Sequence, residues 1–238
     1  MQSAECRVHN SKFIVKCIAM TPIAFFHSPF TSKFGIPKQS GLVKELRGEI
    51  VFTPEYRNED FIRGLEDFDY IWIIWEFSAN GHKTNSPVVR PPLLGGNKRM
   101  GVFATRSPYR PNPIGLSSVR IENIEYDTTC GPIIHVSGAD LMDGTPIYDI
   151  KPYIAYADSH PDAKGGFTEN NPIRLLDVEI DEATTKKLGK EKTDILRKIL
   201  ALDPRPHYHN NPDKIYGMLF FDYDIKFRVE EGRVIVLN

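Results

Sequence analysis

The densest chemistry in this chain lies in Arg106-Ser-Pro-Tyr-Arg-Pro-Asn-Pro-Ile-Gly115. Pro108, Pro111 and Pro113 each fix φ, remove a backbone N–H and push the preceding residue to extended geometry. The stretch is therefore stiff and cannot be helical. Stiffness holds side chains in place before a ligand arrives, so Arg106, Arg110 and Asn112 lose little entropy on meeting a carboxylate, a phosphate or a base edge. A proline-rich turn whose arginines make structural ion pairs would carry the same pattern, and these residues alone leave both readings open.

A second segment is Ser137-Gly-Ala-Asp-Leu-Met-Asp-Gly-Thr-Pro146, with Asp149 and Lys151 just beyond. Asp143-Gly144 signals a turn, and Asp140 stands three residues before Asp143. Carboxylates in a tight turn can bind ribose hydroxyls or an adenine amine, and they also commonly cap the turn. The ligand spacing of a calcium loop and its twelfth-position Glu are missing. The third segment is Asp203-Pro-Arg-Pro-His-Tyr208, where two prolines present Arg205 and Tyr208 rigidly. His207 and His209 have no Cys or His partners at metal-binding spacing, so no metal site is expected. Dinucleotide-binding GxGxxG, P-loop, HExxH and GxSxG signatures are absent.

These segments must be carried by a β-rich scaffold. The run Ile18 to Phe26 reads as a strand, as do Glu49 to Phe52, Leu116 to Ile124 and Ile133 to Ser137. DYIWIIWEF, from Asp69 to Phe77, reads as a strand buried on both faces. Gly101 to Thr105 reads as a short strand, and Tyr148 to Tyr153 runs extended through its proline. Thr53-Pro54-Glu55 signals a helix start, with a helix expected to about Asp67. Strand after strand with one convincing helix before residue 160 predicts a closed or nearly closed sheet rather than alternating βα units. The polar Asp158 to Asn171 stretch marks a boundary. Beyond it, Asp181 to Leu202 has the apolar spacing of an amphipathic helix, and Ile215 to Leu237 returns to strands. The expected organisation is an N-terminal extension over 1–16 without periodicity, a β-barrel domain over 17–158 and a small α+β domain over 159–238.

Charge sharpens the picture. The net charge is −1, yet no acidic residue occurs between Glu76 and Glu122, a window holding Lys83, Arg90, Lys98, Arg99, Arg106, Arg110 and Arg120. Such a one-signed segment suits an anionic ligand, and it also suits a basic face neutralised by acidic neighbours in the fold. At 41% hydrophobic and 26% charged the composition excludes a disordered or fibrous chain. Cys6, Cys17 and Cys130 form no disulfide framework, which fits a reducing cytoplasm. No signal peptide is expected at the start, and the longest apolar stretch, Tyr70 to Trp75, is too short to span a bilayer.

Taken together the chain resembles the TrmO/TsaA family of tRNA N6-threonylcarbamoyladenosine methyltransferases. The resemblance is carried by Phe34-Gly-Ile-Pro-Lys-Gln-Ser-Gly-Leu42, Arg63-Gly-Leu-Glu66, Val89-Arg-Pro-Pro-Leu93 and Gly95-Gly-Asn97. Its strongest part is Gly101-Val-Phe-Ala-Thr-Arg-Ser-Pro-Tyr-Arg-Pro-Asn-Pro-Ile-Gly-Leu-Ser117, followed by Asp140 to Pro146, Asp149 to Tyr153 and Asp203-Pro-Arg-Pro. It implies a mainly β, α+β protein: a single-sheeted barrel that binds S-adenosylmethionine, a small C-terminal domain, and a homodimer acting on threonylcarbamoylated tRNA beside the anticodon.

Carried over by motif, the resemblance implies cofactor contacts from Gln39, Ser40, Gly41, Leu42, Ser78, Ala79, Arg106, Leu116, Asp140, Leu141, Asp143, Gly144 and Thr145. The family often has Pro at the place of Ser40 and His/Gln-type residues at Ser78-Ala79, so backbone contacts are what remains expected there. Asp140 and Tyr109 are the candidates for the catalytic base. Arg110, Asn112, Lys151, Arg205 and Tyr208 are candidates for the RNA and its threonyl carboxylate. Two other readings share these residues: a non-catalytic RNA-binding barrel, and an S-adenosylmethionine-dependent enzyme with a substrate other than tRNA.

Overall fold

The computed structural model describes residues 4–8, 11–15, 20–80, 86–206, 211 and 213–237. The chain opens on β1 (Ala4–Val8) and β2 (Ser11–Val15), an antiparallel ribbon in which Ala4 faces Val15. The sequence carries no periodicity there, and the described residues pair as two strands all the same. Next come β3 (Ala24–His27), β4 (Arg47–Phe52) and β5 (Tyr70–Glu76), then the short β6 (Val88–Val89) and β7 (Met100–Gly101). The barrel is completed by β8 (Ile114–Glu125), β9 (Ile133–Ser137) and β10 (Thr145–Pro152).

Six strands close in the order β10-β3-β4-β9-β8-β5, every neighbouring pair antiparallel. Closure removes the exposed edges that an open sheet of this size would leave. Ile50, Ile71, Ile73, Ile134, Val136 and Ile147 fill the interior and are essentially inaccessible. Along β5, Ile71, Ile73 and Trp75 point inward while Trp72, Ile74 and Glu76 are half-buried. The alternation of a one-sided strand replaces the two-sided burial expected of DYIWIIWEF.

Two further expectations are corrected. Residues 53–67 form three single 3-10 turns, Pro54–Tyr56, Glu59–Phe61 and Leu65–Asp67, instead of one helix. Only Ile62 of this stretch is buried, so no apolar stripe repays a continuous helix, and the Asn58 side chain starts a new turn by accepting the Asp60 N–H. The expected strand at Gly101–Thr105 is a 3-10 turn over Val102–Ala104, closed by the Thr105 N–H and hydroxyl on the Val102 carbonyl.

After the barrel come α1 (Ala155–Asp158) and β11 (Asp177–Glu179), then α2 (Glu182–Leu188) and α3 (Lys190–Ala201). The single helix expected over Asp181 to Leu202 is broken at Gly189, whose φ of 77° and ψ of 164° lie outside any helix. β12 (Tyr216–Phe220), β13 (Tyr223–Glu230) and β14 (Arg233–Leu237) then join β11 in a four-stranded sheet ordered β11-β14-β13-β12. Leu196, Ile199 and Leu200 of α3 cover it, giving a second core. Among the described residues no helix is long and apolar enough to cross a membrane.

Candidate functional site

The stiff proline loop and the Asp-Gly segment meet at one large cleft. It has a volume of about 1760 Å³ and runs between the mouth of the barrel, the loop after β3, the β6–β7 region and the connector to the C-terminal sheet. A small-molecule pocket usually holds roughly 300–1,000 Å³, so this cleft has room for more than one ligand. Seven basic side chains line it, Lys33, Lys38, Arg90, Arg99, Arg106, Arg110 and Arg174, against the three acids Glu76, Asp140 and Asp203. Four of them, Arg90, Arg99, Arg106 and Arg110, come from the sequence's acid-free window.

Asp140 sits where β9 has ended and the chain turns inward. Its carboxylate accepts the Ser117 hydroxyl at 2.5 Å, and Ser117 in turn accepts the indole N–H of Trp75 at 3.0 Å. Burial pushes the Asp140 carboxyl up from its ordinary value. The Ser117 hydroxyl, its own backbone N–H, the nearby Arg106 cation and the Ser40 backbone N–H pull it the other way without cancelling that effect. A largely buried carboxyl with raised affinity for a proton, on a fixed hydrogen-bond chain, is a candidate general base.

Arg106 reaches across the cleft and donates to the Gln39 side-chain carbonyl at 2.6 Å. The Gly41 N–H donates to the Gly138 carbonyl at 2.8 Å, and the Gly138 N–H to the Leu46 carbonyl at 2.9 Å. These contacts dock the loop after β3 against the segment that carries Asp140. Arg110 is held within its own loop by the Thr105 carbonyl at 3.1 Å. Tyr109 and Leu116 stand at the cleft with about half of each side chain exposed, 53% and 54%.

Of the residues expected for the cofactor, Gln39, Leu42, Ser78, Ala79, Arg106, Leu116, Asp140 and Thr145 line the cleft. Ser40 and Gly41 back that wall through their N–H groups. Leu141 is buried in the barrel core and offers its carbonyl to the Ser28 hydroxyl. Asp143 turns toward His27 and the Ser28 N–H, at 3.1 and 3.2 Å, and Gly144 donates to the Phe26 carbonyl. Those three residues hold the turn, while Met142 between them faces the cleft.

The expected substrate residues separate more widely. Tyr109 and Arg110 line the cleft, whereas Asn112 and Lys151 are exposed and outside its lining, Lys151 paired to Asp149 at 2.9 Å. Arg205 is spent on Asp203 through two bonds of 2.8 and 2.9 Å in a mostly buried pair. Tyr208 lies outside the described residues.

Several lining residues had no signal in the sequence. Glu76, whose carboxylate accepts the Tyr148 phenol, carries no motif; burial and that carboxylate hold the phenol's pKa up at about 12. Arg99 was visible only as a member of the basic window, Arg90 there and in Val89-Arg-Pro-Pro-Leu93, and Ile173 and Arg174 lie just past the Asp158 to Asn171 boundary stretch, where no motif stands.

The donor set fits S-adenosylmethionine. Arg106 matches its carboxylate, Asp140 and Glu76 match its ammonium or ribose hydroxyls, and Leu42, Trp75, Phe77, Leu116 and Met142 supply apolar walls. Among the described residues no cluster of three or more His, Cys, Asp or Glu side chains is arranged to hold a metal ion.

Comparison with known proteins agrees with this geometry. Residues 25–159 match the tRNA-methyltransferase O N-terminal domain, and residues 174–238 match the TrmO C-terminal domain. The chain is 39% identical over 218 residues to the tRNA (adenine(37)-N6)-methyltransferase of Escherichia coli K12, covering 88% of this chain and 92% of that one. It is 36% identical over 215 residues to a Pseudomonas aeruginosa protein described as a putative S-adenosylmethionine-dependent methyltransferase, covering 87% and 90%. A solved structure of TrmO from Pseudomonas aeruginosa superposes with a TM-score of 0.75 at 30% identity, covering 94% of this chain and 98% of that one. Matched by both family domains and by relatives along most of its length, the chain belongs to the tRNA-methyltransferase O family.

Proposed function

We propose that this protein is an S-adenosylmethionine-dependent tRNA methyltransferase that methylates N6 of threonylcarbamoyladenosine at position 37, next to the anticodon. One observation carries the reading: a largely buried carboxyl, Asp140, held by Ser117 beside Arg106 in a basic cleft large enough for a cofactor beside a nucleotide. A relative named for the adenine-37 reaction, matched along almost its whole length, supports the choice of substrate.

When bound, S-adenosylmethionine supplies an electrophilic methyl group on a sulfonium. Arg106, Gln39 and the Ser40 and Gly41 backbone would hold its amino-acid end, with Leu42, Ser78, Ala79, Leu116 and Thr145 about the rest. The target N6–H lies between a purine and a carbamoyl group, which makes it more acidic than a plain amine. Asp140 would take that proton, its carboxylate held by the Ser117 hydroxyl, which itself accepts the Trp75 indole N–H. Tyr109 is the second candidate, as a hydrogen-bonding or stacking group. The threonyl carboxylate and the flanking phosphates need cations, and Arg90, Arg99, Arg110 and Arg174 line the cleft for them. Methyl transfer is an in-line displacement, so positioning supplies much of the rate.

We further propose a homodimer working in the cytoplasm. Exposed large hydrophobic side chains, Phe103 at 78% among them, support an apolar contact with a second copy. Two experiments test the function. Equilibrium titration with S-adenosylmethionine in the absence of RNA gives saturable binding if the cleft is a cofactor site and none if the barrel only grips RNA. Deleting the gene in its host and analysing bulk tRNA nucleosides should remove the N6-methylated form and leave its unmethylated precursor; an unchanged profile would remove tRNA as the substrate.

A further inference from the structure

The loop from Ser28 to Leu46 has two faces that belong to different parts of the molecule. One face makes the cleft wall: Gln39 accepts from Arg106, the Ser40 N–H approaches the Asp140 carboxylate, and the Gly41 N–H donates to Gly138. The other face is apolar, and Phe30, Val43 and Leu46 are buried to within 3% of full burial. All three belong to the C-terminal core with Leu196, Phe220 and Phe227, and none of the loop's side chains joins the barrel core.

Phe34 is the centre of this attachment. Its ring lies nearly parallel to Tyr216 (11°, centroids 6.3 Å apart) and to Phe227 (14°, 6.2 Å). Ile36 packs against the same core, Lys38 donates to the Asp203 carbonyl at 3.3 Å, and Lys198 reaches Glu45 at 2.5 Å. The loop has no regular secondary structure of its own. A loop of that kind takes its shape from what its side chains bury and bond. Here that is the C-terminal sheet on one face and the cleft residues on the other.

We propose that Phe34 is a positioning residue for the cofactor side of the cleft: through it the C-terminal sheet sets where Gln39, Ser40 and Gly41 stand against Arg106 and Asp140. The consequence for S-adenosylmethionine rests on the reading of this loop as a cofactor contact; the mechanical link does not. The C-terminal unit then holds one wall of the cleft in register, so changes in its core reach the site without touching a ligand.

The test is Phe34→Leu in the full chain, with Phe34→Tyr as the ring-retaining control, read by amide hydrogen exchange and by S-adenosylmethionine titration without RNA. In Phe34→Leu, exchange at Ser40 and Gly41 should quicken while barrel amides at Ile71 and Ile134 keep wild-type rates. Cofactor affinity should fall roughly three- to tenfold, the population factor of a lost aromatic contact, with KM for tRNA unchanged. Phe34→Tyr should keep both properties. Should Phe34→Leu not fold, Phe227→Leu, which alters the partner ring, must reproduce the pattern. Unchanged exchange at Ser40 and Gly41 overturns the proposal, as does faster exchange with wild-type cofactor affinity. A wild-type protein that binds no S-adenosylmethionine refutes the cofactor reading instead, and the exchange data still decide the link between sheet and loop.

Discussion

Gly115→Ala is the sharpest probe of how the barrel wall serves the site. Gly115 pairs with Trp75 across β5 and β8, and the indole lies over it. A methyl group at 115 would stand 2.3 Å from Trp75 Cε2, 2.5 Å from Cζ2 and 2.7 Å from Cδ2. Trp75 has no flexible end to move: it is 6% exposed and packed on Phe77 with ring centroids 4.3 Å apart. Overpacking of this kind costs about 1–3 kcal/mol. Shifting the indole off Ser117 adds about 0.5–1.5 kcal/mol for the lost hydrogen bond. A chain of this size loses roughly 2–4 °C per kcal/mol, so a Tm lower by at least about 3 °C is expected. The functional effect follows the same chain. Ser117 holds the Asp140 carboxyl down, so loosening Ser117 raises it, and the acid limb of the pH–rate profile moves to higher pH. Adding Trp75→Phe should recover part of the lost Tm, because the clash is with the benzo ring, and a double-mutant cycle measures that coupling. A Gly115→Ala protein with wild-type Tm and an unmoved profile would refute the reasoning.

Other outcomes follow from the same geometry. Arg106→Ala should weaken S-adenosylmethionine binding by roughly 10- to 150-fold, the worth of a charge-assisted contact of about 1.5–3 kcal/mol, as read by calorimetry. Asp140→Asn should abolish transfer while keeping the fold. Because burial raises the Asp140 carboxyl above its unfolded value, the fold binds that proton more tightly, and stability falls as pH rises through the folded value. The variant should therefore melt at or above wild type at pH 8, with the gap closing toward about pH 4; a gap that widens on acidification would contradict this. Arg205→Ala takes both guanidinium bonds from the mostly buried Asp203 carboxylate and should cost about 1–3 kcal/mol in a denaturant melt. A loss of tRNA methylation with no loss of stability would instead return Arg205 to the RNA. Light scattering should give a dimer, and a fully active monomer would remove the homodimer proposal.

The barrel was legible because its strands are local events: β5 and β9 announce themselves by β-branched and aromatic runs bounded by turn residues. The cleft's two main segments were legible for a similar reason, since prolines around Arg106 and the Asp-Gly turn fix their own backbone. The lost parts are non-local. Nothing near Phe34 says that its ring will pack beside Tyr216 and Phe227, nearly two hundred residues away. Nor does Arg205 declare in sequence that its guanidinium folds back on Asp203. The helix expected over 53–67 had a sound start signal but no apolar stripe to bury, and burial decided. Glu76 and Arg174 reach the cleft through tertiary packing and carry no motif at all.

The most direct test of the central claim is transfer itself. Threonylcarbamoylated tRNA and the same tRNA lacking that modification are each incubated with the protein and S-adenosylmethionine, digested to nucleosides and read by mass spectrometry. The account predicts that the modified nucleoside at position 37 gains one methyl group, that Asp140→Asn prevents the gain, and that unmodified tRNA is a poor substrate. Methylation at another position, or none on the threonylcarbamoylated tRNA, would contradict it.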